Sequence, residues 1–117
     1  MNQVPLPLNF AALLEMLGGK KQIVASLLSK FAEELTSDLA ASELAMVDQD
    51  AEALRQVAHR IKGTSANLHA LMLSAAAREL EQACTEADAS LLTIKQQVMS
   101  DQVRLVREAL ESWRSDS

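Results

Sequence analysis

Apolar residues recur every three or four positions along uninterrupted stretches, and this periodicity constrains the fold more than any other feature of the sequence. From Lys20 to about Val47 no glycine or proline breaks the pattern, which predicts one helix of roughly six turns or more. Its apolar positions are Val24, Leu27, Leu28, Phe31, Leu35, Leu39 and Met46. Aromatic residues make up only 3% of the chain and tyrosine is absent, whereas sheet proteins usually contain more of both. The sequence therefore predicts an all-α protein.

Four further helices follow from the same periodicity and from their end signals. A short first helix ends at Gly18-Gly19, because glycine is the favoured residue just after a helix. Asp48 or Asp50 can cap the third helix, and Asp88 or Ser90 the fifth, where either Val98 or Met99 faces inward. The predicted ranges are Leu8 to Leu17, Lys20 to about Val47, about Ala51 to Leu68, about Leu71 to Ala87, and about Leu91 to Trp113.

The connections between the predicted helices are short, so successive helices should be antiparallel neighbours. We therefore expect an antiparallel up-down-up-down four-helix bundle, with the short first helix added at its N-terminal end. Residues 1–7 hold both prolines and are interpreted as an extended lead-in or linker. Residues 8–117 form one predicted domain, since 117 residues suffice for a single core.

The bulk charge and composition exclude several classes of function. A net charge of −5 argues against a nucleic-acid-binding protein, which would normally be basic. The single cysteine, Cys84, cannot form an internal disulfide and suits a reducing compartment. No apolar run approaches the ~20 residues that span a bilayer, and the N-terminus does not resemble a signal peptide. We expect a cytoplasmic domain without direct membrane contact.

The third helix carries a histidine on its solvent side. On a helical wheel with Leu54 at zero, the apolar stripe centres on Leu54, and His59 falls at about 140°. Gly63 and Ala66 lie one and two turns beyond His59 on the same face, and Lys62 flanks them. The residues of the stripe are Leu54, Val57, Ala58, Ile61, Ser65 and Leu68.

This arrangement suits phosphoryl chemistry. An exposed imidazole is largely neutral near neutral pH, which leaves a ring nitrogen free to attack phosphorus. Gly63 costs the helix about 1 kcal/mol relative to alanine, so its position beside His59 calls for a reason, and close approach of a partner is one. The ammonium of Lys62 can stabilise phosphoryl oxygens. Each residue alone is commonplace on a helix surface, whereas the combination H-x-x-K-G with a small residue at Ala66 is far more specific.

The segment around His59 also departs from the acidic character of the chain. Between Glu52 and Glu79 there is no acidic residue, whereas four basic residues are present. These are Arg55, Arg60, Lys62 and Arg78. Such a basic stretch should favour a partner with an acidic active site. We therefore expect Arg55 and Arg60, with Gly63 and Ala66, to serve partner access and docking.

These residues resemble the signature of histidine phosphotransfer (HPt) domains, found in bacterial hybrid sensor kinases and phosphorelay intermediates. The resemblance covers most of residues 8–110 and includes the L-x-x-F pattern at Leu28 and the L-E-x-A pattern at Leu80. Its centre is the run Ala58-His59-Arg60-Ile61-Lys62-Gly63-Thr64-Ser65-Ala66-Asn67-Leu68. One position departs from the family: His69 stands where the family usually has glycine, just before Ala70. A local change in the turn is expected there, and His69 is a minor candidate for a second phosphoryl acceptor.

The resemblance implies a phosphorelay intermediate in two-component signalling, not an enzyme in the strict sense. His59 would carry a phosphoryl group between the aspartates of two receiver domains, with Lys62 stabilising it. The partners implied are receiver domains of a hybrid sensor kinase, a response regulator, or both, and family habit suggests a monomer. No cofactor or metal is expected in this chain, because Mg²⁺ belongs to the receiver. The domain could stand alone or form the cytoplasmic C-terminal part of a membrane-bound sensor kinase.

Two alternatives stay open on the sequence. The first is an HPt-like module that binds a receiver without phosphotransfer, which the intact His59, Lys62 and Gly63 disfavour. The second is a carboxylate-bridged metal bundle, which needs Glu-x-x-His pairs on facing helices. Gln56 and Ala66 occupy the positions three residues before the two histidines, so neither pair exists.

Overall fold

The computed structural model describes residues 6–86 and 88–116. Every regular element within these ranges is an α-helix, which confirms the all-α prediction. In chain order the helices are α1 (Phe10–Met16), α2 (Lys21–Val47), α3 (Ala51–Asn67), α4 (Leu71–Ala83) and α5 (Ala89–Ser115). The predicted lead-in falls mainly on residues 1–5, which lie outside the described part of the chain.

Three helices begin at capping side chains. The carboxylate of Asp50 accepts a hydrogen bond from the backbone N–H of Ala53 at 3.0 Å, so Asp50, and not Asp48, caps α3. Asn9 caps α1 in the same way. At the start of α5 the cap is Asp88, which accepts the backbone N–H groups of Ser90 and Leu91. Each such cap contributes about 1 kcal/mol by satisfying N–H groups that have no partner within the helix.

The helix ends agree with the predicted ones to within two residues, except at the end of α4. Gly18 and Gly19 follow α1 with φ of 67° and 76°, a left-handed conformation that glycine adopts without steric cost. The prediction that α4 continues to Ala87 was wrong, since α4 ends at Ala83 and Ala87 itself lies outside the described residues. The turn after Ala83 forms because Thr85 donates both its backbone N–H and its hydroxyl to the carbonyl of Gln82.

The four long helices enclose one core. α3 packs against α2 and α4, α5 packs against α4 and α2, and α1 lies against α2. Met99 supplies the inward residue of α5 in place of its neighbour Val98, which is 41% exposed. Leu27, one of the periodic apolar residues of α2, is 37% exposed, because Val24 and Leu28 already occupy the inner face of that turn. The largest buried side chains are Phe31, Leu8, Leu13, Leu28, Leu35, Leu54, Ile61, Leu73, Leu80 and Met99.

Two contacts fix the short helix α1 in place. The ring of Phe10 stacks on Trp113 of α5, with centroids 5.1 Å apart and planes inclined by 7°. The backbone N–H of Asn9 donates to the carbonyl of His69 in the turn between α3 and α4. None of the helices in the described ranges combines the length and the apolar character that crossing a bilayer requires.

Candidate functional site

The wheel of α3 is realised in the structure. Leu54, Val57, Ala58, Ile61 and Ser65 are buried, while Leu68 is half-buried at the end of the helix. His59 lies on the opposite side, and 63% of its side chain is exposed. The same amphipathic pattern that anchors α3 in the core thus turns the imidazole toward solvent.

Glu81 of α4 joins His59 and Lys62 through the two oxygens of one carboxylate. Oε2 lies 2.6 Å from Nδ1 of His59, and Oε1 lies 2.6 Å from Nζ of Lys62. Only 17% of the Glu81 side chain is exposed, against 32% for Lys62. The hydrogen bond from Lys62 is the main reason that the pKa of Glu81 is lowered; burial opposes it, and the bond from His59 adds to it.

The ionised carboxylate sets the tautomer of the imidazole. A carboxylate without a proton can only accept hydrogen bonds, so the hydrogen between Glu81 and His59 belongs to Nδ1. In neutral imidazole the other nitrogen, Nε2, then carries the free lone pair. The contact with Glu81 thus distinguishes the two ring nitrogens of a side chain that is largely exposed.

Lys62 is also connected to α4 through its backbone. The hydroxyl of Ser74 donates to the carbonyl oxygen of Lys62 at 2.9 Å. Ser74 and Glu81 are seven residues apart, about two helical turns, and so lie on the same face of α4. Both ends of Lys62, backbone and ammonium, are thus held by the neighbouring helix.

Gly63 and Ala66 lie on the exposed face of α3, as predicted. A Cβ atom built on Gly63 would meet no heavy atom within 4 Å, backbone of its own helix aside. Internal packing therefore does not require glycine at this position, and a helix–helix contact is excluded as its reason. The space beside His59 is open to a molecule that approaches from outside.

The basic residues near His59 are largely neutralised by carboxylates. Arg55 pairs with Glu52 at 2.6 Å within α3, and this hydrogen bond is the main cause that lowers the pKa of Glu52 to about 2. Arg60 pairs with Asp38 of α2 at 3.1 Å. Lys62 pairs with Glu81, as described above. The folded protein is therefore less positive around His59 than the sequence of this stretch suggests. The reason is that α2 and α4 bring the carboxylates of Asp38 and Glu81 next to its basic side chains.

A groove of about 590 Å³ begins at His59 and runs between α2 and α3. Its lining residues are Glu34, Ser37, Asp38, His59, Arg60, Gly63, Thr64 and Asn67. A larger groove of about 740 Å³ lies between α2 and α5, and no residue of α3 lines it. The groove beside His59 is the relevant one for the site, since it alone of the two contains the predicted acceptor. Among the described residues, no group of three or more His, Cys, Asp or Glu side chains is placed to hold a metal ion.

His69 occupies the turn between α3 and α4 with a φ of 59°. This left-handed conformation is the one that glycine adopts most easily, so the expected local change is a strained residue and not a different turn. Its N–H donates to the carbonyl of Ala66, and the next N–H, of Ala70, donates to that of Ser65. Within the described residues, no hydrogen bond links the His69 ring to His59 or Lys62.

Sequence reasoning did not assign roles to Glu81, Ser74 and Asp38. Glu81 entered only as part of the L-E-x-A resemblance. A signal was available for it, because positions equally distant from a tight turn lie opposite each other in a helical hairpin. Glu81 and His59 lie at similar distances on either side of the turn at Leu68–Ala70.

In this helical bundle an exposed histidine, held by a carboxylate, lies beside a lysine and an uncrowded glycine. Such a site places the protein among candidate carriers of a phosphoryl group. Residues 26–116 match the family model described as Hpt domain, and the chain belongs to this family. The chain is also similar in structure to histidine-containing phosphotransfer protein B (HptB) from Pseudomonas aeruginosa PAO1. That match has a TM-score of 0.86 and 24% identity, over 98% of this chain and 99% of that chain. A search of curated protein sequences found no match.

Proposed function

We propose that this protein is a phosphorelay intermediate that carries a phosphoryl group on Nε2 of His59. The observation that supports this most is the 2.6 Å contact between Nδ1 of His59 and Glu81, on a ring that is otherwise exposed. It leaves Nε2 as the nucleophile of a side chain that is 63% exposed. Membership of the Hpt family supports the same function.

The proposed reaction is a displacement at phosphorus. The lone pair of Nε2 attacks the phosphoryl group of a receiver's phospho-aspartate, the bond between phosphorus and the aspartate oxygen breaks, and the aspartate leaves as a carboxylate. Positive charge grows on the imidazole as the new bond forms. Glu81, which accepts the Nδ1 hydrogen, stabilises that charge. Transfer to a second receiver is the reverse reaction with a different aspartate.

Besides its ion pair with Glu81, Lys62 is proposed to stabilise the phosphoryl group. Its ammonium is flexible enough to exchange Glu81 for a phosphoryl oxygen once the phosphate is bound to His59. The chain is proposed to need no cofactor of its own, since Mg²⁺ in the receiver supplies much of the charge stabilisation. In this scheme the protein is a carrier and not an enzyme in the strict sense, because each transfer leaves it covalently changed.

The proposed bundle has the up-down-up-down arrangement over residues 8–117, as a monomer. Contacts between the first and the last of the four long helices support this arrangement. Between α2 and α5, Ser42 lies near Gln96 whereas Ser29 lies near Arg114, so the two helices run in opposite directions. This arrangement places the faces of α2 and α3 side by side at His59, where receiver domains would dock.

A receiver-binding module without phosphotransfer is the alternative. It would keep the docking face, but nothing would select for a held tautomer of His59 or for a lysine beside it. The pairing of both groups with Glu81 therefore favours the carrier.

The experiment that tests the proposal is phosphoryl transfer from a phosphorylated receiver domain to the wild-type chain and to His59→Gln. We expect an acid-labile label on the wild type and none on the variant, with unchanged circular dichroism. No label on the wild type, from several receivers, would favour the binding module. Label on both proteins would indicate that His69 accepts the phosphoryl group.

A further inference from the structure

Two carboxylates of α2 line the groove between α2 and α3, and within the described chain only one of them is paired with a cation. Neither takes part in the proposed phosphoryl chemistry. Its rim on α2 contributes two carboxylates, those of Glu34 and Asp38. Asp38 is paired with Arg60 across the groove at 3.1 Å. Glu34 is exposed, and no hydrogen bond or ion pair joins it to another residue of the described chain. The groove therefore contains one exposed carboxylate that makes no ion pair with the described residues.

The position of Glu34 makes this charge relevant to docking. Glu34 and His59 line the same groove, together with the open backbone of Gly63. A protein that brings an aspartyl phosphate to Nε2 must cover part of this groove. Its surface would then face Glu34, whose carboxylate attracts a cation and repels an anion.

We infer that Glu34 is a specificity-determining residue, which selects receiver domains that present a lysine or arginine beside their phosphorylated aspartate. The inference rests on the proposed function, since it concerns the partner of the same site. Charges at the rim of an interface act mainly on the rate of association and on its dependence on salt. Glu34 thus favours a cognate receiver before the chemistry begins.

Glu33 provides a matched control. It is the adjacent residue on α2, it is exposed, and it has the same charge. It lines a different groove, formed with α5 and including Arg107 and Leu110, and no residue of α3 lines that groove. The two glutamates therefore have the same charge and lie in the same turn of α2, but they face different grooves.

The experiment measures transfer from an acetyl-phosphate-labelled receiver domain to three proteins: wild type, Glu34→Lys and Glu33→Lys. The receiver used is the one from a panel that labels wild type fastest. At low salt we expect Glu34→Lys to lower the second-order rate of transfer by roughly five- to tenfold, with the saturated rate unchanged. High salt should remove most of the difference, and Glu33→Lys should behave as wild type.

A charge reversal on the receiver completes the test. Changing lysines and arginines around its phosphorylated aspartate to glutamate, one at a time, should identify one variant that restores fast transfer to Glu34→Lys. Equal rates for Glu34→Lys and Glu33→Lys, or a loss that salt does not reduce, would overturn the inference while wild-type labelling still supports the carrier. Absence of label on wild type would instead overturn the proposed function, and this inference with it.

Discussion

The carboxylate of Glu81 lies 2.6 Å from Nδ1 of His59, although the two residues are 22 positions apart in the chain. The contact joins α4 to α3, and it pairs a carboxylate that is only 17% exposed with an imidazole that is 63% exposed. It connects the packing of the bundle to the chemistry of its surface, because the partner of the Nδ1 hydrogen is supplied by the position of α4 along α3.

Replacement of Glu81 by alanine should alter that tautomer. Without the acceptor, the Nδ1 hydrogen loses its partner and the ring will populate the form protonated at Nε2. Nitrogen-15 spectra of the His59 ring measure the tautomer directly, and we expect phosphotransfer to slow by roughly tenfold or more. Glu79→Ala, which removes the salt bridge to Lys95 from the same helix, should leave both measurements unchanged. A wild-type-like ring spectrum in Glu81→Ala would show that Glu81 does not set the tautomer.

Acid should weaken the contribution of Glu81 to folding. Its pKa is lowered in the folded chain, so the unfolded chain takes up the proton first. The stabilisation is complete above the usual value of 4.5 and is lost as the pH falls through the lower folded pKa. Urea unfolding of wild type and Glu81→Gln at neutral and acidic pH provides the test. The gap in free energy of unfolding should close in acid, and a constant gap would contradict the expectation.

Lys62→Ala should slow phosphotransfer without abolishing it. The variant removes a cation that can stabilise the phosphoryl oxygens, for which we expect a loss of roughly tenfold in rate. Lys95→Ala is the control, since Lys95 also pairs with a glutamate of α4 but on the side of α5. Single-turnover labelling separates the two. Equal rates in both variants would remove Lys62 from the chemistry.

Substitution of Gly63 should separate access from stability. Gly63→Ala should raise the free energy of unfolding by about 1 kcal/mol, because alanine favours the helix and the space for its Cβ is empty. Gly63→Arg should fold as well but block transfer, since a long side chain would cover the approach to His59. Circular dichroism and the transfer assay report the two properties. Normal transfer by folded Gly63→Arg would refute the steric role.

His69→Gly should stabilise the protein. A left-handed φ, as at His69, costs a residue with a Cβ roughly 1–2 kcal/mol, and glycine would remove this cost. Glycine also loses more conformational entropy on folding, which opposes the gain by roughly 0.5–1 kcal/mol. We expect the free energy of unfolding, measured with urea, to rise by about 0.5–1 kcal/mol, and the rate of phosphotransfer to stay unchanged. Loss of stability would mean that the His69 side chain makes a compensating contact.

The sequence predicts most of this fold because apolar spacing and end signals agree. The wheel of α3 identifies both the buried stripe and the exposed His59, and Asp50 and Gly18 mark helix boundaries. The end of α4 was missed because the turn depends on Thr85 and on backbone bonds that periodicity does not encode. Periodicity alone does not place Leu27, because an apolar residue at the edge of a stripe can face either the core or solvent.

The site was only partly predictable, for a different reason. His59, Lys62 and Gly63 lie within five residues, so local spacing suffices to place them on one face of α3. Glu81, the partner of His59 and Lys62, comes from α4, and Asp38, the partner of Arg60, comes from α2. Pairing across helices depends on the axial register of the bundle, and a sequence pattern within one helix does not contain it.

The empty space above Gly63 has a consequence for protein engineering. A procedure that ranks substitutions by stability alone would find no clash there and a clear gain in helix propensity, so it would replace this glycine early. Alanine would register as a gain in thermal assays, and a longer side chain would yield a stable protein in which the approach to His59 is covered. The packing of the fold does not require glycine at position 63, so a stability measurement alone would not reveal a role of this residue in partner access.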